Sequence, residues 1–360
     1  MNIQKSMKKK PYQPKEKYEL KRAIKEYQNG KHKERGRPND WDVSLITDMS
    51  QLFYGNRTFN EPLNKWDTKN VTNMSYMFKG ATMFNQPLDN YTWVVEHRWV
   101  LTFQLIRKLP WVLVRIIASL AFGDHIGGFD TSKVTDMKHM FQDSSSFNQP
   151  IGQWNTNQVT DMSCMFNKAQ SFNQPIEKWD TSQVVSMSFM FSGASSFNQP
   201  IEQWNTNQVT KMDYMFEHAT SFNNSIEQLD TSQVTRMDSM FNNARSFNQP
   251  IGKWNTSRVT SMCCMFDGAA RFNQPIGQWD TSQVTDMRCM FKSAHSFNQP
   301  VREWNTSHVK RMSSMFRSAY SFNQSIEQWN TSQVTNMRNM FENAFRMTHP
   351  NSSGSGARYI

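Results

Sequence analysis

Large apolar residues recur every 25 positions along most of this chain. Phe147, Phe172, Phe197, Phe222, Phe247, Phe272, Phe297 and Phe322 keep that spacing, each followed by Asn and most by Asn-Gln-Pro-Ile. Met-Phe pairs mark a second phase at 77/78, 140/141, 165/166, 190/191, 215/216, 240/241, 265/266, 290/291, 315/316 and 340/341, and Leu52-Phe53 opens the series. The unit read from residue 172 is FNQPIEKWDTSQVVSMSFMFSGASS, with apolar positions at Phe172, Ile176, Trp179, Val184, Met187, Met190, Phe191 and Ala194. So few apolar side chains cannot close a core within one unit, but stacked units bury each against its copy above and below, which predicts a repeat solenoid. With a degenerate turn at Ile116 included, the pattern predicts about twelve turns between residues 40 and 345. The short apolar spacings leave room for a strand of three or four residues and tight turns, and none for a long helix. At roughly 4.8 Å per turn, the array reaches roughly 55 to 60 Å.

Stacking also assigns the polar positions. The Asn after each Phe (Asn148, Asn173, Asn198, Asn248, Asn273, Asn298) falls at one point in every coil, where an inward amide can bond the next turn's backbone. Asp and Asn alternate after the Trp position, from Asp130 and Asn155 to Asp280 and Asn305. That spacing puts like charges two turns, roughly 10 Å, apart, about a Debye length at physiological salt. Ahead of the repeats, Glu16 to Gln28 reads as a short helix with Leu20, Ile24 and Tyr27 on one face and Asn29-Gly30 as its stop, suited to capping the first coil. The organisation expected is a basic disordered arm over 1–15, a capping helix and lead-in over 16–39, the repeats over 40–345, and a flexible tail over 346–360.

The motif WDTSxVTxMxxMFxxAxSFNQPI resembles the BspA-like leucine-rich-repeat surface proteins, in particular the domain of unknown function repeated in mycoplasma-type surface lipoproteins. The likeness covers roughly residues 18 to 345 and includes the lead-in, Glu19 to Tyr27 followed by Trp41 to Phe53. It implies a leucine-rich-repeat-like coil, surface display and a part in adhesion, and it carries no catalytic residues. No apolar h-region or lipobox cysteine stands near the start of this sequence.

Charge changes the picture at one end. Of 40 Lys and Arg against 30 Asp and Glu, residues 1–37 hold 13 and 4, leaving the body nearly neutral. The basic groups therefore belong to an arm around Lys8, Lys9 and Lys10 rather than a folded face, which argues against nucleic acid as the partner. One stretch breaks the pattern: residues 91–121 are apolar, and Phe122 lies 38 positions after Phe84, one repeat plus 13. A membrane span over 99–122, an apolar insertion packed on the solenoid or a partner, and a frame-shifted or mis-spliced repeat all remain open. Arg107, Lys108 and Arg115 weigh against the span, at about 3 kcal/mol for each central basic residue.

Candidate chemistry is sparse. The chain has no Walker motif, dinucleotide fingerprint, HExxH or nucleophile elbow, and its histidines fall at different phases of the repeat, so no catalytic, cofactor or metal site is expected. Cys164, Cys264 and Cys289 share one phase, the last two in consecutive turns, where either free thiols or a disulfide fits. The function expected is non-enzymatic recognition or adhesion toward a protein or glycan. Residues such as Thr160, Asp161, Lys211, Arg236, Arg288, Lys310 and Arg311 change from turn to turn on a constant apolar frame. The alternative is an intracellular interaction scaffold, or association with anionic polymers or membranes through the basic arm.

Overall fold

The computed structural model describes residues 10–31, 34–88 and 129–346. Lys8 and Lys9, the apolar segment 91–121, the span weighed over 99–122 and the tail from 347 onward lie outside them; Lys10 is exposed. Helix α1 spans Lys17–Gln28 and buries Leu20, Ala23 and Ile24. It ends where Asn29 and Gly30 donate to the carbonyls of Lys25 and Tyr27, with Gly30 in the left-handed region that glycine enters without steric cost. A single 3-10 turn, Pro38–Asp40, leads into the repeats.

Each repeat is a closed turn built from tight bends. In the turn that begins at Phe172, Trp179 donates to Ile176, Val184 to Thr181, Met190 to Met187 and Ala194 to Phe191, and Phe197 donates to Ala194 as the next turn begins. These bends aim Phe172, Ile176, Trp179, Val184, Met187, Met190, Phe191 and Ala194 inward, and all eight are buried. The core is therefore a set of columns. Phe166, Phe191 and Phe216 stack at 5.6 and 5.8 Å with rings within 7° of parallel, and Phe172, Phe197 and Phe222 stack beside them at 6.0 Å. The two columns touch within each turn, 3.9 Å between Phe191 and Phe197. Such parallel, offset contacts are favourable ring arrangements, and every turn repeats them.

Backbone pairing is thinner than the expected short strands. Among the described residues the turns are joined by one isolated parallel bridge each, from Asp48 to Asn73, then Asp136, and on every 25 residues to Asn336. Strands cannot lengthen because two left-handed residues follow each bridge, four apart: Tyr76 and Gly80, Phe189 and Gly193, Cys264 and Gly268. The reversal lets alternate amides all donate forward; Met187, Phe189, Phe191 and Gly193 bond the carbonyls of Lys211, Asp213, Met215 and Glu217.

The bridge from Asn73 to Asp136 corrects the count of turns. Partners elsewhere are 25 residues apart, whereas Thr72 and Thr135 pair across 63, so 38 additional residues lie within one turn. Phe84 stacks directly on Phe147 at 6.2 Å, the place a degenerate turn through Phe122 and Ile116 would have filled. The turn resumes at Phe129, whose amide donates to Leu88 at 3.1 Å, the bond that Trp154 makes to Ile151 in the next turn. Bridges mark eleven turns among the described residues. Phe129 stands in the Trp column, 6.4 Å from Trp154, and Phe84 and Leu88 fill the places ahead of it in that turn, so counting back 25 positions from Phe147 to Phe122 places the resumption seven residues early.

Candidate functional site

The turn that precedes the left-handed pair carries the bridge ladder to the surface. Its outward residues are a Thr-rich column (Thr160, Thr210, Thr235, Thr260, Thr285), the bridge column, and a third column two residues on. Asp161, Lys211, Arg236 and Arg311 belong to the bridge column, Thr160 and Lys310 precede two of them, and Arg288 belongs to the third. These varying residues thus share one face. The bridge column carries Asp48, Asp136 and Asp161 toward the amino end, and Lys211, Arg236, Asp286 and Arg311 toward the carboxyl end, so exposed basic residues of this column gather in the later turns while Asp286 is buried beneath them.

At the carboxyl end this face holds a recess of about 300 Å³, lined by Tyr214, Arg236, Asp238, Cys263, Asp286, Arg288 and Arg311 among others. Its floor is acidic and its rim basic. Asp286 is buried and takes a two-pronged contact from Arg288, with Nη2 at 2.8 Å, and Arg311 Nη2 at 3.1 Å. Asp238, equally buried, accepts from Arg236 at 2.7 Å and from the Cys263 amide at 3.1 Å. Hydrogen bonding to these carboxylates holds the Arg236 and Arg288 guanidinium groups above their ordinary range. Buried carboxylates need such partners, and here the pairing presents guanidinium edges to solvent. Burial raises the Tyr214 hydroxyl.

The Asn residues sit elsewhere and are not inward. Asn148, Asn173, Asn248, Asn273 and Asn298 are half-buried and Asn198 is exposed. Each side-chain oxygen accepts the amide of the next Asn, as Asn148 does from Asn173 at 2.9 Å and Asn248 from Asn273 at 2.9 Å. The buried polar ladder is made by a residue the sequence reading passed over, the Thr after each Asp or Asn. Thr156, Thr181, Thr206 and Thr231 are buried and donate to the carbonyls of Asp180, Asn205, Asp230 and Asn255 at 2.8 to 2.9 Å. Its signal was the Thr in every WDT and WNT. The Asp or Asn itself is exposed and accepts the amide two residues on, as Asp180 does from Ser182, a role that either side chain fills.

The four cysteines are free and half-buried. Burial pushes the Cys164 thiol up to about 11. A hydrogen bond from Cys264 brings Cys289 down to about 7, and the contacts with Cys263 and Cys289 push Cys264 up. Among the described residues no helix is long and apolar enough to cross a membrane.

A sequence family described as "Mycoplasma protein of unknown function, DUF285" matches residues 19–101, 116–228, 199–288, 220–306 and 273–355, overlapping segments that cover most of the chain. No curated protein matches it.

Proposed function

Since the chain belongs to this Mycoplasma-type repeat family of unknown function, and the family brings no reaction with it, we propose that it is a non-enzymatic recognition scaffold. In this reading the stacked turns form a solenoid of the leucine-rich-repeat-like, BspA-like kind, displayed at a cell surface and engaged in adhesion to a protein or glycan. The observation that carries it is the placement of the varying residues: Asp161, Lys211, Arg236, Arg288 and Arg311 lie on the ladder face while the buried columns stay constant. A rigid frame with a changeable outer column is what recognition surfaces on repeat proteins require. The guanidinium edges of Arg236, Arg288 and Arg311 around the recess would orient a partner of complementary charge.

The test is a screen of the intact chain against immobilised protein and glycan arrays in about 200 mM salt, where binding through a basic arm collapses. The comparison is a variant with Lys211→Ser and Arg311→Gln, which keeps Arg236 and Arg288 so that buried Asp238 and Asp286 retain their guanidinium partners. Binding by the native chain and its loss in the variant support the ladder face. Equal binding by both, or loss on deleting residues 1–15, refutes it. Protease treatment of intact cells tests display separately, because surface repeats release peptides without lysis.

A further inference from the structure

On the flank of the array, next to the ladder face, the turns containing residues 264 and 289 bring unlike donors together. We propose that Cys264, Asp267 and Cys289 form a binding site for a thiophilic divalent metal ion of the zinc class, held between two neighbouring turns. Their two sulfur atoms and a carboxylate oxygen all lie within 4.8 Å of one another. In a tetrahedral zinc site, with Zn–S near 2.3 Å, donor atoms stand about 3.7 Å apart, so side-chain rotation of an ångström or so closes this set.

The backbone fixes the arrangement. Cys264 and Cys289 occupy one column of adjacent turns at left-handed φ values of 57° and 54°. Their amides are tied forward to Arg288 at 2.8 Å and Ser313 at 3.0 Å, so the thiols are presented in the same direction one turn apart. Asp267 follows Cys264 by three residues, and its amide donates to the Cys264 carbonyl at 3.1 Å. That tight bend returns the carboxylate over the thiol column, as the short loop between paired ligands does in zinc sites. Two sulfurs and one carboxylate suit zinc or cobalt(II); magnesium and calcium demand oxygen alone. Three protein donors leave the fourth position for solvent.

One cation already competes. Lys292 Nζ is 3.2 Å from Asp267 Oδ2, with about a third of its side chain exposed. Metal entry swings this amine into water and replaces its charge with a larger one. Cys263 lies outside the set, its sulfur 3.5 Å from that of Cys264.

The test uses the full chain, freshly reduced, titrated with cobalt(II) and read by thiolate-to-cobalt charge-transfer absorption in the near ultraviolet. The site predicts a saturable band at one equivalent, bleached by added zinc. Four replacements probe it, each already present in the same column of another turn and so compatible with the fold: Ser239 for Cys264→Ser and Cys289→Ser, Asn242 for Asp267→Asn, and Gln142 for Lys292→Gln. Either serine variant loses the band, Asp267→Asn weakens binding, and Lys292→Gln tightens it. Absence of a band in the native chain, a band that survives both serine replacements together, or tightening by Lys292→Gln when Asp267 is also Asn each overturns the proposal. A Cys264–Cys289 disulfide forming in air without cobalt binding by the reduced chain also overturns it, in favour of a redox pair. None of these outcomes touches the ladder-face reading, whose residues lie outside the ligand set.

Discussion

A single nitrogen shows how each side chain depends on the turn before it. Trp179, Trp204, Trp254, Trp279, Trp304 and Trp329 each donate Nε1–H to a carbonyl 28 residues back, as Trp204 does to Ile176 at 3.1 Å. Trp66 finds its acceptor in Pro38, ahead of the first full turn. Trp154, one turn beyond the 38 additional residues, is buried with no partner for that nitrogen among the described residues. Trp154→Phe therefore loses packing alone, whereas Trp204→Phe also leaves the Ile176 carbonyl one donor short. Urea denaturation should find Trp204→Phe the more destabilising by about 1 kcal/mol. The left-handed positions make a second residue-scale prediction. Gly193 and Gly268 share their column with Ser318, at φ 57°. Ser318→Gly should stabilise the chain by up to about 1 kcal/mol in the same assay, the relief of side-chain crowding exceeding the entropy that glycine adds to the unfolded state. The buried columns were legible in the sequence because Phe, Met and Val recur in phase. The tryptophan acceptors were not, being backbone carbonyls, and neither were the left-handed pairs. Tyr, Phe, Cys and Lys give no local sign of positive φ; the forward hydrogen bonds impose it.

At the scale of elements, the departure between Leu88 and Phe129 reads as an addition to one bend. The bond from Phe129 to Leu88 survives, and the ring columns cross the junction unchanged at 5.6 Å between Phe78 and Phe141. Replacing residues 89–128 by two residues, as Gly152 and Gln153 join Ile151 to Trp154, should preserve folding and cooperativity, measured by circular dichroism and denaturation. It should also offer Trp154 the Leu88 carbonyl. Collapse of the fold would mean that the added residues hold the array together. The interruption itself was visible as a change of composition; its end was not, because Phe122 and Ile126 stand 25 positions ahead of Phe147 and Ile151 in the sequence, although Phe84 stacks on Phe147 and Leu88 takes the place before Phe129. Helix α1 provides a pH-dependent contact. Lys17 Nζ is 2.9 Å from Asp48 Oδ2. Burial raises the Asp48 carboxyl, but hydrogen bonds from Lys17 and Ser50 outweigh it and hold the group below 3.8. A depressed carboxylate stabilises the fold above the unfolded value and loses that contribution as pH falls through the folded one. Amide exchange in α1 should accelerate as pH is lowered below about 4, after correction for intrinsic rates, and Lys17→Met should flatten that dependence. An unchanged profile in the variant would remove this pair from the account of docking.

For the whole molecule, the ring columns stack each turn on its neighbours, and among the described residues no ring contact skips a turn. Stability should then sum over turns. Deleting residues 197–221, one complete period, should give a shorter chain that still folds, with a smaller denaturant slope in equilibrium unfolding. Failure to fold would show that the array needs long-range closure. The repeat architecture was legible at this scale because its period outlasts every local substitution. The ladder face was not, since its three columns become neighbours only when the bends set the turn's shape. The joint at Leu88 and Phe129 has a mechanical consequence. A chain pulled from its ends and peeled turn by turn would lengthen in equal steps of roughly 80 Å, the reach of 25 extended residues less their height in the stack. One turn would break that rhythm: its 63 residues would let out roughly 210 Å at once, making the array a ratchet with a single long tooth, whose place in the force trace marks how far rupture has travelled.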